Sequence, residues 1–141
     1  MKAMLLKSHA DINTHQAPLS LLSLPKPVLA PGEILLRVSR CGICHTELDE
    51  IEGRIKPRLP VILGHQVVGT LVSDSLRSEV HEHTLSGTRA HGLQKGQRVG
   101  VAWIAFACGE CEYCRSGQEN LCPSFQATGR DINGGYAEKM K

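Results

Sequence analysis

Short apolar stretches separated by turn residues recur along the chain, at Ala3 to Lys7, Leu19 to Leu24, Glu33 to Arg40, Gln66 to Ser73 and Arg98 to Ala105. Stretches of this length and spacing predict strands of a small β-barrel or sandwich. The clearest follows the turn Pro31-Gly32, where Leu36 and Val38 alternate with Arg37 and Ser39, the two-residue period of a strand with one wet face. One segment breaks this pattern. After His45, Leu48 and Ile51 stand three apart among acidic residues, which predicts a turn or two of helix. The polar stretch from Asp74 to Leu93 contains His81, His83 and His91, has no steady period and predicts an extended surface loop of solvated side chains. A mainly β fold with short helices is expected.

The length of 141 residues predicts one domain, and 41% hydrophobic residues suffice for a core. Sixteen basic and 14 acidic residues leave a net charge of +2, with the basic ones scattered singly from Lys2 to Lys141. Neither a nucleic-acid nor a lipid surface is expected as partner. The longest nearly apolar run, Val99 to Cys108, falls well short of the roughly 20 residues that cross a bilayer. Met1 to Leu6 runs at once into Lys7, Ser8 and His9, too short a stretch for a secretory signal, so the expectation is a cytoplasmic, reducing location.

That location bears on the six cysteines, at 41, 44, 108, 111, 114 and 122. In a reducing compartment they read as metal ligands or reactive thiols rather than as disulfides. Cys108, Cys111, Cys114 and Cys122 form C-x2-C-x2-C-x7-C, in which short links turn consecutive thiolates inward and a longer return delivers the fourth. Gly109 and Gly117 supply the backbone freedom for those turns. Four thiolates leave a zinc ion no open position, so the role would be structural, ordering a lobe too small to hold itself by apolar burial. The rival reading is a [4Fe-4S] cluster in an electron-transfer protein, because Cys122-Pro123 mimics a ferredoxin ending, although x7 departs from the usual x3.

A second constellation consists of Cys41-Gly42-Ile43-Cys44-His45-Thr46 and, twenty residues on, Gly64-His65-Gln66-Val67-Val68-Gly69. Singly, Cys44 and His65 read as small core residues as readily as ligands. Together with Lys95-Gly96-Gln97-Arg98-Val99, the four-cysteine lobe and Gly134-Gly135-Tyr136-Ala137-Glu138, in this order, they resemble the zinc-dependent medium-chain alcohol dehydrogenases over nearly the whole chain. The resemblance implies a GroES-like catalytic domain over 1–141, a partly open β-barrel with a zinc-binding lobe at 108–122. It makes Cys44 and His65 ligands of a catalytic zinc, Thr46 the hydroxyl that relays the alcohol proton, and His45 a contact to cofactor phosphate or a helper of the relay. Cys41 matches no ligand position. A zinc with thiolate, imidazole and an open position lowers the pKa of an alcohol, and NAD or NADP would take the hydride. The bland reading of Thr46 is a helix N-cap.

Departures from the family pattern concern the surroundings of that metal. Gln66 stands where Glu commonly follows the ligand histidine, removing a negative charge, and Glu47 stands where Asp is usual, with either an orienting role toward His65 or a place on an exposed helix face. Gln97 replaces a common Asp, and the loop from Asp74 to Leu93 looks longer than usual. No G-x-G-x-x-G follows a strand, so no dinucleotide-binding turn is present. In the family the third catalytic ligand and the nucleotide domain lie beyond the point matching Lys141, so the chain looks like an N-terminal portion, inactive alone. The parent would interconvert alcohol and aldehyde or ketone, and since relatives commonly form dimers or tetramers, a homo-oligomer is an open expectation. The alternative is a zinc-stabilised binding module without catalysis.

Overall fold

The computed structural model describes residues 1–74 and 93–141. The expected loop with His81, His83 and His91 therefore lies, apart from its two ends, outside the described residues. Nine strands and two α-helices are present among the described residues, and the mainly β expectation holds. Strands β1 (Lys2–Leu6), β2 (Leu19–Ser23) and β4 (Val61–Ile62) form one antiparallel sheet in the order β2-β1-β4. Strands β3 (Ile34–Cys41), β5 (Val67–Asp74), β6 (Arg98–Val101) and β9 (Lys139–Met140) form the second, in the order β6-β5-β3-β9. A two-stranded ribbon of β7 (Ile104–Phe106) and β8 (Gln126–Ala127) carries the cysteine lobe.

Each of the five predicted stretches found its strand, with one correction. The run from Arg98 to Ala105 is two strands, because the chain turns at Ala102 and Trp103, where the Thr128 backbone N–H donates to the Trp103 carbonyl at 2.9 Å and its hydroxyl donates to Ala102 at 2.9 Å. Two apolar clusters fill the interior. Leu6, Ile51, Val61 and Leu63 lie beneath the first sheet, and Leu36, Val67, Leu71 and Met140 beneath the second. In β3 the alternation of buried Leu36 with exposed Arg37 continues to Val38, and then a register shift against β5 leaves Ser39 without a partner. Such a bulge bends the strand and turns Cys41 back toward the core, so that the chain leaves β3 heading for helix α1 (His45–Glu52).

The segment before His65 is held by close backbone approach rather than by a long strand. Gly64 adopts φ +97°, open to glycine, and a Cβ there would meet Cys41 Sγ and the Tyr136 ring at 2.7 Å. The Gly134-Gly135-Tyr136 segment lies across it. The Gly135 amide donates to Gly64 at 2.8 Å, the Tyr136 amide to Leu63 at 3.0 Å, and a Cβ on Gly134 would fall 2.1 Å from the Gly64 carbonyl oxygen. Two motifs seventy residues apart in the chain are thus one packed unit.

Candidate metal centres

The lobe is built by its two ends. Pairing of Ile104 with Ala127 and of Phe106 with Gln126 brings the chain before Cys108 alongside the chain after Cys122. Between them Gly109, at φ +73°, turns the backbone so that the Cys111 amide faces Cys108 Sγ at 3.4 Å, while the Cys108 amide faces Cys122 Sγ at 3.3 Å. Helix α2 (Glu112–Arg115) then carries Cys114 inward, and a short 3-10 turn, Glu119–Leu121, delivers Cys122. The four sulfurs all lie within 4.8 Å of one another, with Cys108 and Cys114 3.9 Å apart. Zinc–thiolate bonds of about 2.3 Å at the tetrahedral angle place sulfurs about 3.8 Å apart, so the four side chains fit a single ion. A cluster of four irons and four sulfides would hold its cysteines farther apart.

Four thiols at these distances do not ionise independently. Amides of Glu110 and Cys111 bring Cys108 down to about 7, whereas desolvation, followed by hydrogen bonding among the neighbouring thiols, pushes Cys114 up to about 12. A divalent cation removes that conflict by stabilising all four thiolates at once.

The second centre assembles across the fold. Cys44 is the N-cap of α1 in extended conformation, and its backbone N–H donates to Glu47 Oε2 at 2.8 Å, the acidic half of a capping box. Thr46 therefore sits inside the first turn, and the N-cap reading of its hydroxyl gives way to Cys44. His65 leaves the Gly64 turn with Nε2 3.5 Å from Cys44 Sγ. A tetrahedral zinc with bonds of about 2.3 Å to sulfur and 2.0 to 2.1 Å to nitrogen separates those two atoms by about 3.6 Å, so this pair also fits one ion. Glu47 reaches both ligands. Its second oxygen lies 2.8 Å from His65 Nδ1, an ion-pair approach without hydrogen-bond alignment between two otherwise unpartnered buried atoms. Carboxylate contact at Nδ1 leaves Nε2 as the ring atom that would face a metal.

The remaining candidates fall into place around this pair. Gln66 is exposed, its carbonyl accepting from the Gly42 amide at 2.8 Å. His45 is exposed on the outer face of α1, 3.5 Å from Asp49. Thr46 is half-buried, and its hydroxyl has no hydrogen-bond partner among the described residues. Cys41 stands in neither cluster and packs among apolar side chains, where burial pushes its thiol up.

Glu50 is the feature that the sequence reading missed. It is 0% exposed, neither carboxylate oxygen has a hydrogen-bond partner among the described residues, and burial, seconded by Glu47, pushes it up to about 8. Its signal was present in the helix period. Glu47, Glu50 and Ile51 stand at i, i+3 and i+4, so the phase that buries Ile51 buries both acids. Trp103 was missed as well, its ring set edge-on to His65 at 4.8 Å between centroids.

Comparison with known proteins places these centres in context. Residues 30–141 match the model of the alcohol dehydrogenase GroES-like domain. The chain is 40% identical over 134 residues to an alcohol dehydrogenase of Geobacillus stearothermophilus, which covers 94% of this chain and 36% of that protein. Among solved structures it is similar to a zinc-binding dehydrogenase from Sinorhizobium meliloti bound to NADP, with a TM-score of 0.77 and 28% identity over 99% of this chain and 35% of the other. An alcohol dehydrogenase from Aeropyrum pernix superposes with a TM-score of 0.74 and 29% identity over 99% of this chain and 37% of the other. The chain thus spans about a third of the length of these relatives.

Proposed function

The chain belongs to the alcohol dehydrogenase GroES-like domain family, and from that premise we propose that residues 1–141 are the N-terminal catalytic-domain portion of a zinc-dependent, NAD(P)-linked alcohol dehydrogenase. The observation that carries this reading is the 3.5 Å approach of Cys44 Sγ to His65 Nε2, with a carboxylate behind the imidazole and a complete four-thiolate cluster elsewhere. A closed site and an incomplete one divide structural from catalytic roles.

Cys44 and His65 would hold the catalytic zinc, and Cys108, Cys111, Cys114 and Cys122 a structural one. When bound at the first site, zinc supplies a Lewis acid that lowers the pKa of a substrate hydroxyl, with NAD or NADP as hydride acceptor. The residues of this chain do the rest. Cys44 and His65 offer the thiolate and imidazole that would hold the ion; Glu47 fixes the imidazole; Thr46, whose hydroxyl both accepts and donates, passes the proton outward; and the exposed His45 takes it or meets cofactor phosphate. No helix among the described residues is long and apolar enough to cross a membrane.

The reading is tested in the full-length protein. Cys44→Ser and His65→Ala should each abolish NAD(P)-dependent alcohol oxidation while leaving one firmly held zinc per chain by elemental analysis. Retained turnover in both variants would refute the catalytic assignment. The 141-residue chain, dialysed against a mild chelator, should keep about one zinc and turn over no alcohol.

A further inference from the structure

A continuous line of ring contacts joins the two centres. The Trp103 ring stands 4.8 Å from that of His65 at an interplanar angle of 76°. The Arg130 guanidinium lies 5.6 Å from the Trp103 ring centre and 5.5 Å from that of Phe125. Phe125 in turn donates its backbone N–H to the carbonyl of Cys122 at 2.9 Å, which ties it to the last cysteine of the lobe. Arg130 is not free to wander. Its Nε and Nη2 both donate to Asp131 Oδ2, at 2.9 and 2.7 Å, and that oxygen also accepts from the Ala127 amide at 2.7 Å.

We propose that Arg130 and Trp103 are positioning residues for His65, and that through them the filling of the four-thiolate lobe sets the geometry of the Cys44–His65 centre. The inference rests on the zinc reading of both clusters. Neither α2 nor the 3-10 turn buries a side chain, so between the paired ends of β7 and β8 the course of the lobe, up to Cys122 and the turn that carries Phe125, depends on what the sulfurs hold. With the sulfurs gathered, Phe125 and Arg130 stack and press Trp103 edge-on to His65; with the lobe open, Phe125 loses its anchor and the stack loses one side. Coupling of this kind is reciprocal, so a metal at Cys44 and His65 also tightens the lobe.

Trp103 is the sole tryptophan of the chain and reports directly. Zinc chloride is titrated into the metal-stripped, reduced chain while free thiols are counted and tryptophan emission is followed. The first equivalent should protect the four lobe thiols and change Trp103 emission, also in Cys44→Ser, where the second centre cannot answer. In Arg130→Met the first equivalent should protect the same thiols with the emission change lost, and affinity for the second, weaker equivalent should fall roughly tenfold. Arg130→Lys, which keeps a cation between the rings, should restore the response. Phe125→Leu, which leaves the charges alone, should weaken it and serves if Arg130→Met does not fold. Thiol protection with unmoved emission in the wild-type chain, or an undiminished response in both Arg130→Met and Phe125→Leu, overturns the coupling alone. Failure to protect any thiols overturns the zinc reading and the coupling with it.

Discussion

The two centres present similar donor distances by opposite means. In the lobe all ligands come from residues 108–122, the helix and the 3-10 turn between them bury no side chain, and only the β7–β8 pairing closes the ends. In the other, Cys44 and His65 come from different elements and stand against buried Glu47, with the Gly64–Gly134 crossing next to His65. The lobe has a tetrahedral set of donors and scarcely a core, so on the proposed reading a metal would organise it. The Cys44–His65 pair has a core that organises it before any metal arrives. The difference separates a metal that contributes folding energy from one whose site the fold preorganises for chemistry.

The largest effect expected from this contrast is in the lobe. Cys111→Ser should reduce firmly bound zinc to near zero and open the segment 108–122 to proteases, since structural zinc accounts for on the order of 10 kcal/mol of linked folding energy. His65→Ala should do neither, and comparable zinc loss from it would erase the distinction. Next comes Gly134→Ala, which places a methyl group 2.1 Å from the Gly64 carbonyl oxygen and 2.7 Å from that of Leu63. Backbone must move, and urea unfolding of the zinc-loaded chain should register a loss of about 4 kcal/mol. A loss below about 1 kcal/mol would mean that the crossing is looser than its contacts require.

The smallest effect concerns the buried acid. Glu50 is pushed up to about 8 by burial first and by Glu47 next, with Asp131 and Asp49 adding and Arg130 opposing. The folded chain thus keeps a proton that the unfolded chain has lost above about pH 4.3, so this contribution favours folding at low pH and is lost as pH rises through 8. Between pH 6 and 9 the zinc-loaded chain should lose about 3 kcal/mol from this source, and Glu50→Gln should flatten that decline. An unchanged slope would assign the pH dependence to other groups. Arg130 opposes the shift and also stacks on Trp103, so the charge around the buried acid and the packing behind His65 meet in one side chain.

By itself the order of residues determined what is local. The C-x2-C-x2-C-x7-C spacing brings four sulfurs within reach of one ion because the loops between them are too short to take them apart, and the period of two in β3 selects Leu36 for the interior. The motifs around Cys44, His65 and Gly134 named residues that the fold brings together, without showing that they touch. Tertiary packing decided the rest. Two-residue strands such as β4, β8 and β9 are too short to carry a period and form only because partners distant in sequence arrive alongside. The turn at Trp103 interrupts an unbroken apolar run because Thr128 captures its carbonyls, and Glu50 is buried because Ile51 needs the core on the same helix face. Contacts that close long loops depend on every element between their ends, which is why spacing alone could order the lobe but only the folded chain could bring a thiolate, an imidazole and a carboxylate together.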